Sequence, residues 1–275
     1  MKFRRALPLW LVLCACGVTA DGLDSAVFKN PLRDAGSATS VDAGRKGEPE
    51  EAADAGHGHG TLPAEIDAGM ALPDPVLFVH GVNGSKDDWN KMISRLVADG
   101  WPADRLKAKT FDDPKWGCNA GNAEVIVHWA NELMAATHTT RIDLVAHSMG
   151  SLSSRRYLKY LNGAASVNTF VSLGGMNHGL SNSCYGSRIN LCVWKEVCES
   201  GEFIKSLNAP PAAVPPATWV TIAGGADETV PNSSTFLTGA ENIVVPGVAH
   251  EGANGLQQDP VVYQNVARVL RYAGH

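Results

Sequence analysis

The chain has 275 residues, 28 acidic and 23 basic side chains, a formal net charge of −5 and 44% hydrophobic residues. This balance fits one globular domain with further sequence attached, and it excludes the strong basic surplus on which nucleic-acid binding depends. The charges are unevenly spread: residues 17–75 hold 11 acidic and 4 basic side chains, whereas residues 76–275 hold 17 and 16.

Residues 1–16 read as an export signal, with Lys2, Arg4 and Arg5 ahead of the apolar run Ala6 to Ala15. That run is too short to cross a bilayer as a stable helix. Leu13-Cys14-Ala15-Cys16 resembles a bacterial lipobox, which makes Cys16 a candidate for lipidation and attachment to an outer membrane or cell surface. Cleavage after Val18-Thr19-Ala20 would instead release a soluble secreted protein. Residues 17–74 repeat Asp-Ala-Gly from Asp34, Asp42, Asp54 and Asp67 and carry few large apolar residues. Such a segment cannot bury enough surface to offset its ordering entropy, so it is expected to be a flexible tether. His57 and His59 in this Gly-rich stretch are expected to be solvated rather than metal-bound.

From Pro75 the pattern changes. Val76 to Val79 form a continuous apolar run ending in His80-Gly81, as a parallel strand buried on both faces would. Trp89, Met92, Ile93, Leu96 and Val97 follow at helical spacing, and Gly100 ends that helix. A strand near Leu106 to Phe111 precedes a helix carrying Ile126, Trp129, Ala130, Leu133 and Met134 on one side. Next come strand Arg141 to His147, helix Met149 to Leu161 and strand Val167 to Gly174. Beyond an irregular stretch lie strands Thr218 to Ala223 and Asn242 to Val245 and a closing helix around Val262, Val266, Val269 and Leu270. Alternation of this kind predicts an α/β domain over 75–275, a mostly parallel sheet with helices on both faces.

Ala146-His147-Ser148-Met149-Gly150 falls between a strand and a helix, where a nucleophile elbow belongs. A serine hydroxyl is a poor nucleophile unless a base takes its proton and an acid holds that base in the right tautomer. Asp227 follows one late strand and His250 the next, so Ser148, Asp227 and His250 are the candidate triad. Glu228 is an alternative acid, and Asp143 is disfavoured because it sits at the wrong end of its strand. His147 is expected to pack the elbow, and His138 and His275 to be solvated. Negative charge developing on the attacked carbonyl needs preorganised donors, for which the backbone N–H groups of Met149 and Val82 are the candidates. Were Ser148 merely a helix cap, none of these partners would be required.

Cys118, Cys184, Cys192 and Cys198 suggest two disulfides in an exported protein, with three possible pairings. Zinc is the other reading of these cysteines, with His178 as the one nearby histidine, but the sequence has no Cys-x-x-Cys pair.

The runs PVLFVHGVNG (75–84), IDLVAHSMG (142–150), VSLGG (171–175), Ala226-Asp227 and PGVAHEG (246–252) resemble the bacterial secreted triacylglycerol lipases and esterases of the α/β-hydrolase superfamily. The resemblance implies hydrolysis of carboxylic esters through an acyl-enzyme, with an ester or lipid as substrate. It also implies no cofactor, with Ser148, Asp227 and His250 as triad and Val82 and Met149 as oxyanion donors. Two departures stand out: Ser151 where the smallest members have a second Gly, and a cap-like insertion over 176–216. In the insertion, Val193, Trp194, Val197, Phe203, Ile204 and Leu207 could cover the site or form a rigid disulfide-pinned loop. A monomer is expected. The competing readings are a non-catalytic surface-binding protein on the same scaffold, or a hydrolase of thioester, polyester or amide bonds.

Overall fold

The computed structural model describes residues 72–186 and 191–272. The signal-like segment with Cys16, nearly all of the tether with His57 and His59, and His275 lie outside the described residues. Six strands, β1 (Val76–Val79), β2 (Leu106–Lys109), β3 (Ile142–His147), β4 (Val167–Leu173), β5 (Thr218–Gly224) and β6 (Glu241–Val245), form one sheet in the order β2-β1-β3-β4-β5-β6. Every pairing is parallel, so the carboxyl ends of all six strands lie along one rim.

The side-chain period of a strand divides the apolar residues between two layers. Val76, Phe78, Val145, Val171, Leu173, Val220 and Ile222 face Trp89, α1 (Asn90–Ala98) and α8 (Pro260–Tyr272). Leu77, Val79, Leu144, Ala146 and Phe170 face α2 (Asn119–Thr137) and α3 (Gly150–Tyr160). Full burial of each large aliphatic or aromatic side chain contributes roughly 1.5–3 kcal/mol, so these two layers are the main source of stability. Exposed polar residues fall mainly on the edge strands, among them Lys107 on β2 and Glu241 on β6, with Thr218 at the start of β5 the exception.

One position departs from the expected helix face. Trp89, Met92 and Leu96 are fully buried, whereas Val97 is 42% exposed. An α-helix turns about 100° per residue, so position 97 is carried off the stripe that 89, 92 and 96 define. The irregular stretch also contains more order than its composition showed: α4 (Ser183–Gly186), α5 (Cys192–Val197) and α6 (Glu202–Asn208) lie within it, and α7 (Asn232–Thr235) follows β5.

Asp143 pairs across from Val76 at the start of β3, remote from the rim where β3 ends at His147. One of its oxygens accepts the Thr169 N–H at 3.0 Å, and the other has no partner. Burial, reinforced by nearby Asp74, pushes its pKa up from 3.8 to about 8. Between those two values the folded chain holds a proton that the unfolded chain has released, so this group's contribution falls as pH rises from about 4 toward 8. Asp143→Asn, neutral at every pH, should therefore match the wild type near pH 4 and exceed it at pH 8, on the order of 2 kcal/mol. Urea unfolding at the two pH values measures the difference.

Candidate active site

Ser148 stands at the turn from β3 into α3 with φ +55°. A left-handed backbone is uncommon for a residue with a Cβ and signals local strain. It is held there by its own N–H, which donates to Leu173 O on β4 at 2.9 Å, and by the start of α3, where Ser151 N–H donates to Ser148 O at 3.1 Å. The small residues around it are sterically required. A Cβ on Gly81 would come within 2.8 Å of Ser148 Cβ, and one on Gly150 within 2.3 Å of His80 O.

The two late loops bring the expected partners to the same rim. His250 Nε2 lies 2.8 Å from Ser148 Oγ, and His250 Nδ1 lies 2.7 Å from Asp227 Oδ2. The Asp227 and His250 side chains are 1% and 7% exposed, so the pair is shielded from competing water. A buried carboxylate next to Nδ1 places the ring proton there and leaves the Nε2 lone pair facing the serine hydroxyl. The other Asp227 oxygen, Oδ1, accepts from Thr229 N–H at 2.9 Å and Val230 N–H at 2.8 Å, which fixes the carboxylate's orientation. Glu228, the alternative acid, is exposed. Gly174, at φ +52°, passes so close that a Cβ there would be 3.1 Å from His250 Nδ1 and 3.2 Å from Asp227 Oδ2.

Val82 follows Gly81 on the loop beside Ser148, and Met149 follows Ser148 itself. Among the described residues neither backbone N–H donates to a protein acceptor. His80 explains the posture of the first. Its Nε2 accepts the Phe111 N–H at 3.1 Å, so the ring proton sits on Nδ1 and donates to Gly81 O at 2.7 Å. In a trans peptide the C=O and N–H point in opposite directions. Anchoring the Gly81 carbonyl on His80 thus turns the Val82 N–H the other way. Burial lowers the His80 pKa and keeps the ring neutral, as this double contact requires.

The insertion is built tightly onto this rim. Met176, Val193, Val197, Ile204 and Leu207 pack with Met149, Leu152 and Val230. The open question of cysteine pairing resolves as Cys118–Cys192, which ties α5 to the start of α2, and Cys184–Cys198 within the insertion. The four sulfurs are therefore bonded in two pairs and are not zinc ligands. Glu196 accepts from the N–H groups of Asn119 and Ala120 at the N-terminus of α2, where a carboxylate also suits the helix dipole. Arg155, 1% exposed, reaches from α3 to Asn177 O, Leu207 O and Asn208 Oδ1 at 2.7–2.9 Å. Among the described residues no carboxylate pairs with it, and burial draws its pKa down to about 9. Lys159, one turn on, donates to Leu207 O, Ala209 O and Pro211 O. Ser151 does more than pack its helix: its Oγ accepts from Ser172 Oγ, which in turn accepts from Asn177 Nδ2.

His80, Arg155 and Ser151 are the positions whose parts were hidden in the sequence. For Arg155 the available signal was its place between Leu152 and Leu158, which face the core, although Arg156 and Lys159 beside it blur that signal. His178, named beside the cysteines, is exposed and bonds to Phe236 O at 2.9 Å. His138 is likewise exposed, at the end of α2.

A parallel sheet covered on both faces, with a strained serine on the turn after its third strand, defines an α/β-hydrolase. Residues 73–268 match the model of the family described as Lipase (class 2), and the chain belongs to that family. It is a carboxylic ester hydrolase. Solved structures share the fold at low identity. A Bacillus licheniformis lipase in its mature form is 18% identical with a TM-score of 0.60, over 72% of this chain and 92% of that one. The Legionella pneumophila phospholipase PlaB, solved with thio-NAD, is 15% identical with a TM-score of 0.62, over 72% of this chain and 58% of that one. A thermophilic esterase from Thermogutta terrifontis is 14% identical with a TM-score of 0.55, over 74% of this chain and 92% of that one.

Proposed function

We propose that Ser148 is the nucleophile, His250 the general base and Asp227 the acid that orients it, in a two-step hydrolysis of carboxylic esters. The unbroken hydrogen-bonded chain from Ser148 Oγ through both ring nitrogens of His250 to Asp227 carries this reading. His250 Nε2 takes the hydroxyl proton as Oγ attacks the ester carbonyl, and the oxyanion is received by the N–H groups of Val82 and Met149. Each such donor contributes roughly 3 kcal/mol to the transition state. Collapse of the tetrahedral species expels the alcohol, which takes the proton from Nε2 and leaves an acyl-Ser148. Water, deprotonated by the same nitrogen, then releases the carboxylic acid.

The apolar wall that the insertion lays against Met149 favours an acyl chain on that side. Two disulfides, Arg155 and Lys159 hold this wall, so the described residues of the 176–216 insertion act as a fixed rim of the catalytic domain and not as a mobile lid. The paired cysteines agree with export to an oxidising compartment. The finer reading adds lipidation at Cys16 and the 17–74 tether, which would hold a monomeric enzyme at an outer membrane or cell surface within reach of lipid substrates.

The test is covalent. An alkyl phosphonate should add one equivalent to the folded protein, and peptide mass analysis should find it on Ser148, with no adduct after Ser148→Ala. An adduct on any other residue, or a label that survives Ser148→Ala, would sink the assignment.

A further inference from the structure

The residue next to the nucleophile has a contact that the catalytic scheme leaves unused. His147 is 5% exposed and its Nε2 lies 3.0 Å from the backbone oxygen of His250. A carbonyl only accepts, so that nitrogen carries the ring proton and donates it. The two imidazoles also pack face against face at an inclination, with centroids 4.6 Å apart and 38° between planes. Burial, the largest influence, holds the His147 pKa well below the usual histidine range, consistent with a permanently neutral donor.

The loop that bears His250 needs such an anchor. Gly247 and Gly252 on either side have positive φ, and residues 251–254 are exposed. The loop closes on itself through Ala249 N–H to Asn254 O at 2.9 Å and Leu256 N–H to Ala249 O at 3.1 Å. Those bonds pass over residue 250, and among the described residues its carbonyl is bound by His147 alone. Consecutive residues at the end of β3 therefore grip both ends of the base: Ser148 Oγ meets its ring, and His147 meets its main chain.

We propose that His147 is a positioning residue for the reaction: it ties the backbone of His250 to the strand that carries the nucleophile, so that the Ser148 to His250 distance is set by one rigid strand end and not by the exposed loop. The inference rests on the triad reading above. Misplacing a catalytic group by about 1 Å can cost roughly a hundredfold in rate, so losing this tie should act on kcat while leaving KM nearly unchanged.

The experiment compares His147→Met, which fills space without a donor, with His147→Gln, whose amide nitrogen can reach the same carbonyl. His147→Met is expected to lower kcat and the phosphonylation rate together, by about 10- to 100-fold. His147→Gln should recover to within a factor of about five of the wild type. Thermal midpoints separate positioning from folding, because a purely structural role would move Tm and active fraction without the selective fall in kcat per phosphonate-titrated site. If Met fails to fold, His147→Asn, too short to bridge the gap, takes its place. The proposal is overturned if the donor-free variant keeps kcat within twofold, or if Gln is as slow as Met. Ser148→Ala run in parallel tells the two ideas apart: an active Ser148→Ala defeats the triad itself, whereas an inactive one beside a fully active His147→Met defeats only the role of His147.

Discussion

Asp227→Asn should lower kcat by about 10⁴ while leaving KM and stability close to the wild type. The size follows from how the carboxylate is held. Oδ1 receives two N–H donors, Thr229 at 2.9 Å and Val230 at 2.8 Å, and Oδ2 faces His250 Nδ1 at 2.7 Å. In an asparagine the oxygen must stay on the two backbone donors, since the alternative sets an NH2 group against both of them. The amide nitrogen is thereby forced toward Nδ1 and donates to it. His250 can accept there only by moving its proton to Nε2, and an Nε2–H cannot take the proton of Ser148. Rotation of the amide is the one escape, and it strands two partly buried donors at up to about 1–3 kcal/mol each. Steady-state kinetics on a soluble p-nitrophenyl ester measures the loss; Glu228→Gln, altering an exposed neighbour, should remain near the wild-type rate. Equal damage from the two substitutions would contradict the choice of acid.

Much of this arrangement was legible in the sequence because it is local. A strand buried on both faces must be largely apolar: β1 is so throughout, and β3 is so at Ile142 and from Leu144 to Ala146. An elbow needs small residues on either side of the serine, and Ala146 and Gly150 supply them. The partners could be found because Asp227 and His250 directly follow β5 and β6, whose ends share a rim with β3 in a parallel sheet. The features that escaped are those in which a polar group depends on a residue far along the chain. His80 is fixed by Phe111, Arg155 by Asn177 and Leu207, and Cys118 by Cys192. Spacing encodes none of these meetings. The short helices of the insertion escaped for a related reason, since pieces of four to seven residues are stabilised by what they pack against and not by a period of their own.

Gly150→Ala should be the most damaging single methyl group in the domain. A Cβ at that position would stand 2.3 Å from His80 O and 3.0 Å from Val79 O, both main-chain atoms of β1 and the loop after it. Side chains can rotate out of the way of an added methyl, but a buried central strand cannot. Relief requires α3 and the β1 loop to separate, which opens the core and shifts Val82 away from Ser148. Overpacking a core typically costs 1–3 kcal/mol, and with backbone on the far side a loss of about 3 kcal/mol or more is expected. Against a total stability on the order of 5–15 kcal/mol that is a large share. The oxyanion donor and the nucleophile would be pulled apart by the same movement, so kcat should fall in whatever fraction still folds. Gly121 provides the contrast: it lies in α2 with nothing within 4 Å of an added Cβ, and Gly121→Ala should leave Tm unchanged or raise it by restricting the unfolded chain. Thermal unfolding of the two variants should therefore move in opposite directions or differ widely. Similar midpoints for both would mean that the elbow and β1 are not packed against each other as closely as the nucleophile's geometry demands.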